Sequence, residues 1–304
     1  MKIKSTFILF LFTFSLQLFA QDQKKYDGEI EIQLIRHDYY YDIYSEPTKK
    51  ISNKENLPFL KMTLNSSGQA LKVLLYGKYY KNDLHLLRQM HLLEYYKNGN
   101  RKRREIWETD KEENLEYNFY VKYEQDKSKK HIISEKSYFV KSDSLFRNLK
   151  YWINEKGEFQ GRKKDDKNYT KMEYDEEGRL MLWQNFKKGK KNWEWRYSYE
   201  ENKRIGLYYN MHTIGKVPPK KEIKSFNEKK QVVELENSMY KTTISYDKNG
   251  IIQKIEYFKK DQELIESVKF IEIKLKSKKK IKKKSVSEIN ETIFQTILEY
   301  VSYI

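Results

Sequence analysis

Cysteine is absent from the 304-residue chain. That removes disulfides, thiol catalysis and cysteine-bound zinc together. Proline and glycine are scarce, four and eleven residues, so collagen-like and linker-like organisation is excluded. The five histidines, His37, His85, His91, His131 and His212, form no His-Glu-x-x-His arrangement. His85 and His91 are spaced to share one side of a strand and could share a metal. No carboxylate recurs at a useful spacing beside them, so ordinary sheet-face histidines are expected. The chain holds no Gly-x-Ser-x-Gly elbow, phosphate-binding glycine loop or dinucleotide fingerprint. Asp175 and Asp247 lack the spacing of a calcium loop. The expectation is a non-enzymatic protein without cofactor or metal. A paired-carboxylate glycosidase stays open, because its two acids need not be neighbours in sequence.

Long apolar runs are missing too, with one exception. Lys2 and Lys4 precede an apolar stretch, Thr6 to Phe19, and Ala20 leads into polar sequence. This is the layout of a secretory signal peptide cleaved near Ala20, and the run is too short to span a bilayer comfortably. An exported protein is expected: periplasmic, cell-surface or extracellular. It must be stabilised by packing and backbone pairing, without disulfides.

What is abundant is charge and aromatic carbon. Charged residues make up 35% of the chain and the net charge is +17. Such a field favours anionic partners, though the lysines are spread along the whole chain, as on a solvated surface. Aromatics reach 15%, with 26 Tyr, which suits strands that have one wet side. A lipid-facing barrel would need more outward apolar surface than this composition supplies.

Apolar residues recur every second position. In "NLEYNFYVKYE", Leu115, Tyr117, Phe119, Val121 and Tyr123 share a side. Residues 84–96 run into "KNGN" (97–100), a two-residue hairpin signal. "NEKG" (154–157), "DEEG" (175–178) and "DKNG" (247–250) place Asn or Asp first and Gly fourth, as a type I turn requires. "EENK" (200–203) and "NEKK" (227–230) occupy further turn positions with Lys in the Gly slot. Around "DKNG", Ile251, Ile255 and Tyr257 are expected on one side and Ile252 and Phe258 on the other. Residues 45–58 and 216–222 read as exposed loops. The fold class expected is mainly β: an extended antiparallel sheet of stacked hairpin repeats, each strand, tight turn, strand and looser return, with a short C-terminal amphipathic helix.

"YDEEGRLMLW" and "YDKNGIIQKIEY" resemble the YD-type hairpin units of Rhs-like proteins. "YYKNGNRKRREIWE" and "FKKGKKNWEWRYSYEENKRI" are similar to MORN-variant repeats of the YwqK antitoxin-like family. Asn192 runs directly into Trp193, where that family commonly has Asp-Gly before the Trp. The resemblance implies a repeat scaffold for protein contacts and carries over no catalytic residue.

The chain divides into residues 1–20 (signal peptide), 21–150 (N-terminal β-rich region), 151–276 (hairpin repeats) and 277–304 (lysine-rich connector and helix). "KLKSKKKIKKK" (274–284) holds eight Lys in eleven residues. Behind it, Ile289, Ile293, Ile297 and Tyr300 form a helical stripe, and Ser285 with Glu288 forms a capping-box pattern. Two surfaces are candidate sites. Trp193, Trp195, Tyr197 and Tyr199 form an aromatic row that could stack rings or cover the sheet. Lys278, Lys279, Lys280, Lys282, Lys283 and Lys284 could meet an anionic surface, with the terminal helix in a lipid interface or docked on the sheet. The function expected is an exported binding or protein-interaction scaffold, its partner a protein or an anionic glycan. An antitoxin-like neutralising role and a secreted glycan hydrolase are the alternatives. Export makes nucleic acid a poor candidate.

Overall fold

The computed structural model describes residues 28–40, 49–52, 58–76, 87–110, 114–154, 158–261 and 264–300. The signal peptide, His85, Gly157 and most of the 45–58 loop lie outside them.

Among the described residues, nineteen strands form one antiparallel sheet. They are β1 (Ile30–Tyr40), β2 (Lys49–Ser52), β3 (Leu60–Leu64), β4 (Ala70–Tyr76), β5 (Leu87–Tyr95), β6 (Arg101–Thr109) and β7 (Leu115–Gln125). β8 (Ile132–Phe139), β9 (Leu145–Ile153), β10 (Phe159–Asp165), β11 (Asn168–Tyr174), β12 (Leu180–Lys187) and β13 (Lys190–Glu200) follow. β14 (Lys203–Asn210), β15 (Lys220–Phe226), β16 (Val232–Asn237), β17 (Tyr240–Tyr246), β18 (Ile252–Asp261) and β19 (Leu264–Ser277) complete it. A 3-10 turn (Lys283–Ser285) then leads into the helix α1 (Val286–Tyr300). The mainly β hairpin stack with a short C-terminal helix is therefore what the chain forms. The sheet also closes: β1 pairs with β3 through its first half, with β2 through its second, and with β19 along its length. β9 spans residue 150 and pairs with β10, so both halves of the chain share this ring.

The turns explain why a ladder of hairpins curls. Asn65, Tyr96, Asp175, Asn227 and Asp247 each accept, on the main-chain oxygen, the N–H of the residue three positions on. That third residue takes the left-handed conformation: Gly68, Gly99, Gly178 and Gly250 have φ between 76° and 96°, and Lys230 has 59°. The Asx Oδ1 of Asn65, Asp175, Asn227 and Asp247 accepts the N–H four residues on, which holds the turn without help from the fold. Each of these turns is flanked by a register shift of one residue, as between Glu173 and Tyr174 just before the Asp175 turn or between Ser245 and Tyr246 just before the Asp247 turn. Such bulges bend the bulged strand and increase its twist. Repeated along the same end of the sheet, they curve it until β19 meets β1.

Several local expectations are corrected. "KNGN" is not a two-residue turn: only Gly99 takes positive φ, in the same bulged turn as the others. "EENK" is a two-residue link in which Glu200 pairs with Lys203, so Lys203 belongs to β14. The returns are not all looser: Asp165 to Asn168 and Lys187 to Lys190 are also two-residue links. Lys49–Ser52 and Lys220–Glu222, read as loop, are paired in strands. Ile252 lies with Ile251 and Ile255 in the core, because the bulge returns it to the inner face.

Four tyrosines each clamp a hairpin to the one before it. The hydroxyls of Tyr95, Tyr174, Tyr199 and Tyr246 donate to the carbonyls of Ala70, Phe159, Leu180 and Val232 at 2.8, 2.6, 2.9 and 2.6 Å. Each acceptor opens a strand; Tyr95, Tyr174 and Tyr246 each close one, and Tyr199 is the last residue but one of β13. Tyr246→Phe removes one clamp and is expected to cost about 1 kcal/mol, read as a lower urea midpoint with an unchanged slope.

The core is one-sided. Ile30, Ile32, Leu34, Leu60, Met62 and Leu64 pack with Ile244, Ile255, Ile271 and Ile273. Ile289, Ile293 and Ile297 of α1 complete this cluster from inside the ring. The helix stripe thus docks on the sheet and is not left for a lipid interface. Tyr300's side chain is outside the described residues. The capping box does not form: the Ser285 hydroxyl donates to the Ser66 carbonyl, tying the helix start to the first hairpin turn. Asn290 bridges β18, accepting from Ile252 N–H and donating to Gly250 O, while Thr292 donates to Gly68 O. The helix plugs the ring at the end where the glycine turns lie.

A cationic cavity beside the plug helix

Partners in an antiparallel ladder share a face. The register runs from core residues Ile255 and Tyr257 through Thr242, Leu235, Lys224 and Arg204 to Tyr199. Trp193, Trp195, Tyr197 and Tyr199 therefore face the inside of the ring. Trp195 and Tyr197 stack at 6.0 Å, Trp183 meets Trp193 edge-on at 5.1 Å, and Tyr208 packs on Trp195 at 5.3 Å. Gly206, opposite Tyr197, makes room: a Cβ there would stand 3.0 Å from Tyr197 and 3.1 Å from Trp195. Tyr197 is buried and burial raises its hydroxyl pKa to about 12; Arg204 sits 4.7 Å over its ring. Tyr199 is a hairpin clamp. The row packs cross-strand as an inner wall of the ring.

The opposite face is wet and charged, and it holds a residue that the alternation pattern hid. Glu194, between the two tryptophans, is 2% exposed. It accepts hydrogen bonds from Gln184 (3.0 Å), Lys191 (2.8 Å) and Arg196 (2.7 Å). Burial alone would raise its pKa, but these donors pull it down to about 2. Lys136–Glu124, Lys171–Glu173, Lys241–Glu234 and Lys254–Glu256 continue the outer pattern of ion pairs. An outer surface so charged is unsuited to lipid tails. Among the described residues, no helix is long and apolar enough to cross a membrane, and no cluster of three or more potential metal ligands occurs. His91 is buried and accepts from Arg104 Nε at 3.1 Å; burial first, then Arg104 and Arg101, push its pKa well below the usual value. It is a neutral core histidine.

The lysine tract divides. Lys278, Lys282 and Lys284 are exposed along the connector. Lys279, Lys280 and Lys283 line a cavity of about 1470 Å³ between α1 and the inner face of β14–β17. Lys229, Lys230 and Lys248 reach it from two hairpin turns, and Arg204 and Lys224 from the strands. Among the described residues, only Glu222 and Glu291 bring negative charge to the lining. Arg204 pairs with Glu222 at 3.5 Å and Lys279 with Glu29 at 2.8 Å. Burial, and then Arg204, lower the pKa of Lys224, with Glu222 opposing. Val232, Leu235, Ile252 and Phe294 supply apolar walls. Like charges facing one another in a recess raise the local concentration of counter-ions. Sequence reasoning found the lysine tract through its density. It missed Arg204, Lys224 and Lys248, which are scattered along the chain and gathered only by the ring.

No family model matches the chain, and no curated protein matches it. Among solved structures, a porin-like protein from Bacteroides uniformis ATCC 8492 is similar at 9% identity and a TM-score of 0.41, over 81% of this chain and 96% of that one. A chain of the TcdB2-TccC3-Cdc42 complex is similar at 10% identity and a TM-score of 0.33, over 76% of this chain but 14% of that one. A protein of unknown function (BF3112) from Bacteroides fragilis NCTC 9343 gives 11% identity and a TM-score of 0.14. At these scores the likenesses decide nothing about this molecule; its architecture rests on the strand pairings themselves.

Proposed function

We propose that this chain is an exported, non-enzymatic binding scaffold that takes an anionic partner in the cavity beside α1. One observation carries the reading: among the described residues, eight cationic side chains against two carboxylates line a single recess. The signal-peptide layout of residues 1–20 supports export, and the tyrosine clamps at Tyr174 and Tyr246 support kinship with YD-type hairpin units. The closed sheet is the scaffold: it has used its strand edges on itself, so binding falls to side chains at the plugged end.

Retention on an immobilised acidic polysaccharide tests this. The triple variant Lys229→Gln, Lys230→Gln, Lys248→Gln is expected to elute at markedly lower salt than Lys150→Gln, Lys164→Gln, Lys187→Gln, which removes equal charge from exposed positions elsewhere. Equal shifts for the two triples would mean that net charge alone holds the matrix, and the cavity would lose its assignment.

A further inference from the structure

The hydrogen-bonding groups around the cavity narrow the chemistry of its ligand. Gln231 donates to Gly250 O, and its side-chain oxygen accepts from Asn227. Tyr246 donates to Val232 O, and Asn249 to Asp247. Asn290 is engaged at both ends of its amide, with Gly250 O and Ile252 N–H. The amide and phenol side chains of the two turns, with Asn290 of the helix, are thus spent on holding the turns and the helix; Ser287 and Gln295 add polar groups only at the exposed rim. What the walls offer a ligand is carbon and positive charge. Ile252 belongs to the buried cluster beneath the helix, Val232 and Phe294 pack against that cluster, and Leu235 lines the cavity beside them. Lys229, Lys230, Lys248 and Lys280 are exposed at the turns and connector, while Lys224 stands further in, half-buried.

We infer that the cavity binds a single-chain anionic amphiphile, its alkyl tail along the apolar wall and its carboxylate or phosphate head among the lysines. This rests on the anionic-partner reading and narrows it. An anion at Lys224 would compensate its burial, and the alkyl chain would cover carbon that the helix leaves open. The volume exceeds the roughly 300–1,000 Å³ typical of small-molecule sites, which leaves room for a chain of a dozen carbons.

The test is a chain-length series on the full secreted chain, read by calorimetry below micelle formation: octyl, decyl and dodecyl phosphate, dodecanoate, neutral dodecyl maltoside, inorganic phosphate and an acidic oligosaccharide. Affinity is expected to rise by up to about fourfold per added methylene, the ratio that about 0.8 kcal/mol per buried methylene gives. Dodecyl maltoside and inorganic phosphate are expected to bind at least tenfold more weakly than dodecyl phosphate. Comparing dodecanoate with dodecyl phosphate identifies the head group preferred. Lys224→Gln and the exposed Lys248→Gln are each expected to weaken dodecyl phosphate several-fold, with circular dichroism and melting confirming that both fold. A flat series in which phosphate and the acidic oligosaccharide still bind would overturn the amphiphile and leave the anionic reading standing. No binding by any anion would overturn both. A rising series untouched by both variants would place the ligand elsewhere and overturn the site.

Discussion

Ile293→Ala is expected to lower stability by about 2 to 5 kcal/mol, the range for truncating a buried aliphatic side chain that leaves a cavity. Ile293 is 0% exposed and sits among strand residues from both ends of the chain, Ile30 to Leu75 and Ile244 to Ile273. Its loss weakens the contact that joins the helix to the seam where β1 meets β19. Urea unfolding followed by far-ultraviolet circular dichroism measures it, with Ile133→Ala as control. Ile133 is 40% exposed, and its truncation is expected to cost under about 0.5 kcal/mol. Equal losses for the two would show that the helix does not close the core.

Acid is expected to lower the stability of the protein in two pH windows. His91 has a folded-state pKa below its ordinary value, so its contribution is complete above about pH 6.5 and fades as pH falls below that. Glu194 has its pKa depressed to about 2, from an ordinary 4.5. Its contribution is present above about 4.5 and is lost between there and 2, because the unfolded chain takes up the proton first. Glu194→Gln keeps the shape of the side chain but faces Lys191 and Arg196 with a neutral amide. Losing charge-assisted bonds of this kind costs on the order of 1 to 3 kcal/mol near neutrality. Urea midpoints measured from pH 8 to pH 2.5 check both windows. His91→Gln should flatten the upper part of the profile and Glu194→Gln the lower part. A Glu194→Gln profile parallel to the parent's down to the lowest pH would remove Glu194 as the acid-sensitive group.

The two predictions mark the difference between what alternation can and cannot reveal. Trp193, Trp195, Tyr197 and Tyr199 were legible as one face of one strand, and they are. Glu194 was legible only as a residue of the other face. That it is buried depends on Gln184, ten positions earlier on the neighbouring strand, and on the bend of Lys191 toward it. The lysine tract was legible as a charge run, but which of its members face a recess depends on the path of the connector after β19. The stripe of Ile289, Ile293 and Ile297 announced a helix with something to cover. The capping-box pattern misled, because the Ser285 hydroxyl found a partner in the Ser66 carbonyl, far away in sequence.

Local chemistry decided the elements. Alternating aromatic and charged residues make strands that are wet on one side, and an Asx followed three residues later by Gly makes the reversal between them, since both act through neighbours a few bonds away. Closure was beyond that reach. A single bulge bends a sheet slightly, and only the sum of many, spaced so that β19 returns to β1, makes a ring. The cavity is a consequence of that sum: cations from the strands, two turns and the connector converge because the curvature brings them together and the helix occupies only part of the interior.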